Sequence, residues 1–262
     1  MIIFLQHTIF SIVFLYKMRI AILFIGYART FGQLKENYKN CFPCNADVFM
    51  QIYDTFYATP DLDKVCAVNI ENATYTNKQY FEDVFPNIVY FDNPKFNANA
   101  MRDIVKKNKL PPINGVNQEC YRTFAMFSNL KKIIDAKNNY EKKHKFKYDC
   151  VIITRLDLRL DSLLAIPKNL SCLSFPVGEG YFPNGERRMG CAPVFGTKVG
   201  LNDQLMICNS DIANILGKIF DNIIKYSKEG IMINNETLIG QHCIKNKIKF
   251  GPVDIIKYMI WR

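Results

Sequence analysis

KYDCVIITRLDLRLD, residues 147–161, is the stretch whose reading decides the fold. It opens on a polar turn and runs through Val151, Ile152, Ile153 and Thr154. A short apolar run bounded by polar residues reads as a strand buried on both faces, the pattern of a parallel sheet. Arg155-Leu156-Asp157-Leu158-Arg159 follows at once. Ligands of open α/β sheets bind beyond the carboxyl ends of the strands, so these charges fall at the expected ligand edge. Burying Arg155 and Asp157 unpaired carries a heavy desolvation cost. They either pair with each other or face a polar ligand, and we expect the ligand.

Upstream, Arg19–Ile25 reads as a first strand that ends in Gly26-Tyr27-Ala28-Arg29-Thr30. A helix starts there, with Thr30 and Gln33 at the spacing of a capping box. Strand, glycine turn and helix N-terminus together form an anion cradle, because free N–H groups and the helix dipole face the turn. Arg29 adds a fork donor suited to phosphate; a purely structural Arg29 is an equal reading. Ala46–Tyr53 alternates as a second strand closed by Asp54, residues 55–80 read as irregular, and Ile88–Phe91 reads as a third strand. Residues 95–116 are rich in Lys and Asn and read as a loop. From Gln118 to about Tyr140, Phe124, Phe127, Leu130, Ile133 and Ile134 recur at helical steps, a core stripe. The polar start of that helix, Gln118 with Arg122, points to the ligand edge. Strands alternating with helices predict a parallel sheet.

Downstream, the glycine-rich segment 178–190 reads as a loop that folds over substrate. Leu205–Cys208 is apolar, and Ser210 reads as the cap of one helix whose stripe runs unbroken to Ile224. A shorter helix carries Glu236, Leu238, Ile239 and His242. Residues 247–250 and 253–261 read as strands and close the chain. There are no internal repeats.

The chain has 262 residues, 34 Lys+Arg against 24 Asp+Glu and a formal charge of +10, which suits an anionic partner. Its aromatic residues fall on apolar stripes and form no basic-aromatic run, so nucleic acid is not the expected partner. Nine cysteines include one Cys-x-x-Cys, Cys41 and Cys44, and no second pair to complete a zinc site. They read as reduced core thiols of a cytoplasmic protein. Residues 1–17 are an apolar extension ahead of the domain 18–262. Two readings stand: a membrane anchor through residues 2–16, or a segment upstream of a true start at Met18. The run is shorter than the roughly 20 residues of a membrane span.

GYARTF after the first strand, ADVFMQIYD, YDCVIITRLDLRL, NDQLMI and NNETLIGQH occur in that order. Together they resemble the GT-A-like glycosyltransferases found in polysaccharide gene clusters and large DNA viruses, over about residues 19–250. The resemblance implies one α/β, Rossmann-like domain with a mostly parallel central sheet flanked by helices. It implies hexosyl or deoxyhexosyl transfer from a nucleotide-sugar donor to a glycan or glycoconjugate acceptor.

By that resemblance Gly26, Arg29, Asp54, Gln118, Arg122 and Arg155 contact the donor, and Asp157 takes the place of the last carboxylate of an Asp-x-Asp signature. Asp203 and Glu236 are candidates for the base or for acceptor binding. A sugar hydroxyl must lose its proton as it attacks the anomeric carbon, and one positioned carboxylate serves. Bland readings stand beside these: Glu236 as a first-turn residue favoured by the helix dipole, Asp203 as a turn residue, His242 as a packed histidine. The family pattern implies Mn2+ or Mg2+ at Asp157. Neither Arg155-Leu156-Asp157 nor Asp157-Leu158-Arg159 is Asp-x-Asp, however. One carboxylate between two guanidiniums suits a diphosphate better than a divalent cation, so a metal-independent reaction is the other reading. Two further alternatives share the fold: a catalytically inactive nucleotide-sugar or glycan-binding protein, and a nucleotidyltransferase.

Overall fold

Nine strands and seven helices are present among the described residues, which in this computed structural model are 18–28, 30–53, 77–94, 97–110, 118–176, 200–253 and 258–260. The apolar extension, Arg29, Asp54, the stretch 55–76 and the segment 178–190 lie outside them. The strands are β1 (Ile20–Tyr27), β2 (Asp47–Tyr53), β3 (Ile88–Asp92), β4 (Cys150–Thr154), β5 (Leu158–Leu160), β6 (Leu173–Pro176), β7 (Leu205–Cys208), β8 (Phe250–Val253) and β9 (Tyr258–Ile260). The helices are α1 (Phe31–Cys41), α2 (Gln79–Glu82), α3 (Ala98–Lys107), α4 (Gln118–His144), α5 (Ser210–Leu216), α6 (Ile219–Lys228) and α7 (Asn235–Lys245).

A seven-stranded sheet runs in the order β3-β2-β1-β4-β7-β6-β8, and β5 with β9 forms a separate two-stranded ribbon. The block β3-β2-β1-β4 is parallel, as the alternation of strands and helices predicts. β7 breaks the pattern: it pairs antiparallel with both β4 and β6, while β6 and β8 are parallel.

Successive strand residues point to opposite faces, and both faces of this sheet are covered. Ala21, Leu23, Ile25, Val151 and Ile153 pack with Phe124, Phe127, Leu130, Ile133 and Ile134 of α4 and with α5, α6 and α7. Ile20, Ile22, Phe24, Cys150 and Ile152 pack on the other side with Phe31, Leu34 and Tyr38 of α1, with Phe81 of α2 and with the β5–β9 ribbon. Fully burying each large aliphatic or Phe side chain contributes about 1.5–3 kcal/mol. The continuous apolar runs of β1 and β4 are therefore what this three-layer arrangement demands.

Four local expectations are corrected. Residues 98–107, expected as loop, form α3, whose Asn97 side chain caps the amide of Ala100 at 2.9 Å. The stripe from Ile212 to Ile224 is two helices, α5 and α6, parted at Gly217-Lys218. A Cβ on Gly217 would lie 3.1–3.4 Å from Ile134, so the glycine lets the junction press against α4. The cap of α5 is Asn209, whose side chain accepts from Ile212 N at 2.9 Å, and Ser210 is already helical. Thr30 precedes α1 but makes no side-chain cap bond, so the expected capping box is not formed.

Ser210 has a different partner. Its hydroxyl lies 2.5 Å from Nζ of Lys137, which is fully buried and also donates to Glu141 at 2.9 Å. Glu141 in turn accepts from the Tyr148 amide at 2.8 Å. Burial pushes the Lys137 pKa down, against the pull of Glu141. This cluster ties α4 to the first turn of α5 and to the entry of β4. On the opposite side, Asn37 of α1 takes the place of a neighbouring strand for β5. Its amide donates to Leu160 O at 2.7 Å and its oxygen accepts from Leu160 N at 2.9 Å.

Candidate functional site

The chain builds β1, β2 and β3 outward in one direction, then returns to place β4 on the other side of β1. In open α/β sheets a crevice opens at such a reversal, at the carboxyl ends of the two central strands. Here the last registered pair is Phe24 with Thr154. β1 continues through Ile25, Gly26 and Tyr27, while β4 leaves the sheet at Arg155. Gly26 has φ +106°, and a Cβ on it would meet nothing within 4 Å. The glycine is thus required by the backbone turn, and space stays open above it. Tyr27 stands opposite Tyr53 of β2, with ring centroids 5.1 Å apart.

Arg155 and Asp157 pair with each other. Nε donates to Oδ1 at 2.8 Å and Nη2 to Oδ2 at 2.6 Å, a fork-on-carboxylate geometry. The Asp157 side chain is 2 % exposed, whereas that of Arg155 is 32 % exposed. Burial works against the guanidinium charge, but Asp157, then Asp203 and Tyr258, outweigh it and hold Arg155 protonated. Tyr38, buried beneath, has its pKa raised well above the usual tyrosine value, by burial first and by the Asp157 carboxylate second.

The direction of β7 supplies the next group. Because β7 is antiparallel to β4, with Leu205 opposite Thr154, its beginning lies at the ligand edge. Asn202-Asp203-Gln204 therefore enters beside Arg155. Asn202 is buried and donates to Tyr258 Oη at 2.6 Å and to Pro176 O at 3.2 Å, while its Oδ1 accepts from Gln204 N at 2.8 Å. Tyr258 donates onward to Gln204 Oε1 at 2.5 Å. Asp203 is half-buried and accepts from Asn235 Nδ2 at 2.8 Å. Asn235 opens α7, and Glu236 lies in its first turn, with its carbonyl accepting from Leu201 N at 3.1 Å.

Arg155 and Asp157, expected to face a ligand, instead close on each other, because a two-residue separation across the turn after β4 lets the guanidinium fork meet the carboxylate. Asp203 enters beside them, with Glu236 at the neighbouring helix start and Gly26 across the crevice. Arg122 is exposed, near the beginning of α4. Asn129 of α4 lies close to Tyr53 at the carboxyl end of β2, so Arg122, two turns earlier in α4, lies about 10 Å further along the helix toward the ligand edge. Gln118 is the first residue of α4; its side chain, like Arg29 and Asp54, lies outside what is described. His242 is packed elsewhere, 2 % exposed.

Asn235 and Tyr258 escaped the sequence reading. Asn235 falls in the quoted NNETLIGQH segment and signals itself only as a helix-start residue. Tyr258 carries no signal, because its role depends on the pairing of β9 with β5, two segments far apart in the chain.

A divalent cation prefers six or more oxygen ligands. Both Asp157 oxygens are taken by a cationic guanidinium, and among the described residues no group of three His, Cys, Asp or Glu side chains could hold a metal ion. The donor set at Asp157 does not fit Mn2+ or Mg2+. Cys41, Cys150, Cys208 and Cys243 are buried free thiols, and Cys44 is an exposed one. An open groove of about 430 Å³ between α4 and the β2–β3 side of the sheet, lined by Phe49, Tyr90, Asp135 and Tyr140 among others, shares none of the residues above. No helix among the described residues is long and apolar enough to cross a membrane. No protein-family model matches the chain, and no curated protein matches it.

Proposed function

We propose that the chain is a glycosyltransferase of GT-A-like fold that moves a sugar from a nucleoside-diphosphate sugar to a glycan or glycoconjugate acceptor. One observation carries the reading: polar and charged groups from β4, the entry of β7, α7 and β9 converge at the reversal point of a mostly parallel sheet. That is where such sheets hold phosphorylated ligands. The ordered motifs GYARTF, ADVFMQIYD, TRLD, NDQ and NNET support it further.

In this reading Tyr27 and Tyr53 lie on the nucleotide side, with the Gly26 turn against the phosphates. Arg155 stabilises charge developing on the leaving diphosphate. Asp203, half-buried and held by Asn235, is the carboxylate placed to accept the proton of the attacking hydroxyl. Asp157 is a positioning residue for Arg155. The test is a panel of nucleotide sugars offered to the purified protein, with release of nucleoside diphosphate and transfer to added glycans as readouts. Binding or turnover of at least one donor is expected; a protein that binds none of the common nucleotide sugars overturns the reading.

Binding without transfer is the second reading, and the closure of Asp157 favours it, because that carboxylate is sealed by its own arginine. Tight donor binding with neither hydrolysis nor transfer across the acceptor panel would establish it.

A further inference from the structure

We infer that the ligand edge binds its diphosphate through the guanidinium of Arg155, fixed in place by Asp157, and not through a divalent cation. The inference rests on the nucleotide-sugar reading and says what holds the phosphates. The pair is asymmetric: the Asp157 side chain is 2 % exposed and that of Arg155 is 32 % exposed. Asp157 takes Nε and one hydrogen of Nη2. Those are the side-chain hydrogen bonds of Arg155 to described residues, and in the proposed complex Nη1 donates to a phosphate oxygen. An arginine so clamped has lost its rotamer freedom before the ligand arrives, and its planar fork matches phosphate oxygens.

Asp203 strengthens the case. Strand ends that bring two carboxylates toward one point are the usual way to hold a bridging cation. In this chain Arg155 holds its positive charge against Asp157 and within electrostatic reach of Asp203, and a divalent cation entering there would be repelled by it. Asp203 also reduces the net positive field. Recognition therefore relies on directed N–H groups, and Asp203 remains an acceptor for a ligand hydroxyl.

The experiment is isothermal titration of the full chain with UDP, GDP, ADP and CDP, first in EDTA and then with Mn2+ or Mg2+. At least one nucleoside diphosphate should bind in EDTA, with a Kd within about twofold of that in metal. Arg155→Lys keeps the charge and loses the fork, and should weaken this binding at least tenfold. Asp157→Asn should weaken it comparably, and the double variant should be no weaker than Arg155→Lys alone, since the two act as one unit. A purely structural Asp157 would add its loss to that of Arg155→Lys. Binding that appears only with metal overturns the inference and leaves the glycosyltransferase reading intact. Absence of nucleoside diphosphate binding under both conditions overturns both. If Asp157→Asn fails to fold, the EDTA comparison and Arg155→Lys decide alone.

Discussion

His242 Nδ1 lies 2.7 Å from the hydroxyl of Tyr226, while its Nε2 lies 2.8 Å from the carbonyl of Ile215. A carbonyl can only accept, so Nε2 carries the proton and Nδ1 accepts from Tyr226. One neutral imidazole thereby links α5, α6 and α7 behind the helix start that presents Asn235 and Glu236. Protonating Nδ1 would oblige the Tyr226 hydroxyl to turn its hydrogen away and accept instead.

The first prediction follows from this tautomer. Burial, and to a smaller extent the charge of Lys218, push the His242 pKa below its ordinary 6.5. Between that lowered value and 6.5 the unfolded chain binds a proton that the folded chain does not, so stability rises with pH across this window. The contribution is complete above pH 6.5 and is lost as pH falls toward the folded-state value. Chemical denaturation at pH 7.5 and 5.5 should show a loss in the wild type that shrinks in His242→Gln, although the variant is less stable at both.

Removing one partner from the Lys137–Glu141 pair should be severe. Glu141→Ala leaves a buried ammonium without its counter-charge and the Tyr148 amide without its acceptor. The expected cost is about 3–5 kcal/mol in denaturant melts. The double variant Lys137→Met with Glu141→Gln removes both charges and keeps an acceptor for Tyr148, and should recover most of the loss. A double variant no better than Glu141→Ala would show that the charges themselves are needed.

Tyr258→Phe tests whether the C-terminal strand shapes the site. The lost hydroxyl serves Asn202 and Gln204, and Asn202 retains Pro176 O, so stability should drop by only about 1 kcal/mol. Transfer should fall by tenfold or more, because the Asn202–Gln204 segment sets the position of Asp203. Equal, small effects on both would confine Tyr258 to the scaffold.

Asp203→Asn should lower kcat at least ~100-fold, about 2.7 kcal/mol of barrier, with donor affinity changed far less. Loss of affinity with kcat preserved would instead make Asp203 a binding group.

Gly26→Ala meets no steric obstacle, yet φ +106° is a conformation that an L-residue adopts at a cost of about 1–2 kcal/mol. A loss of unfolding free energy of that size is expected in denaturant melts; unchanged stability would mean that the turn relaxes freely.

Much of the fold was legible because β1 and β4 are apolar without interruption and α4 carries a regular stripe. What escaped did so for definable reasons. α3 carries a helical repeat at Met101, Ile104 and Val105, but it is only ten residues long and lies in a Lys- and Asn-rich stretch whose composition reads as loop. The stripe across Gly217 stays in phase through a helix break, because both helices pack on the same α4. β7 reads as a strand from its four apolar residues, but strand direction leaves no mark on composition. In the site, TRLD and NDQ were visible as motifs. Asp157, expected to face a ligand, is closed by its own arginine; pairing at two residues' separation depends on turn geometry that composition does not carry.

Asn37 has a consequence beyond the anchoring of α1. One edge of β5 is hydrogen-bonded to β9, and the Leu160 amide and carbonyl on the remaining edge are both taken by a single side-chain amide. An unpaired strand edge is a template for association with other chains. By satisfying donor and acceptor at once, the asparagine withholds that template at Leu160. A helix residue thereby protects a small ribbon from self-association, a safeguard against aggregation.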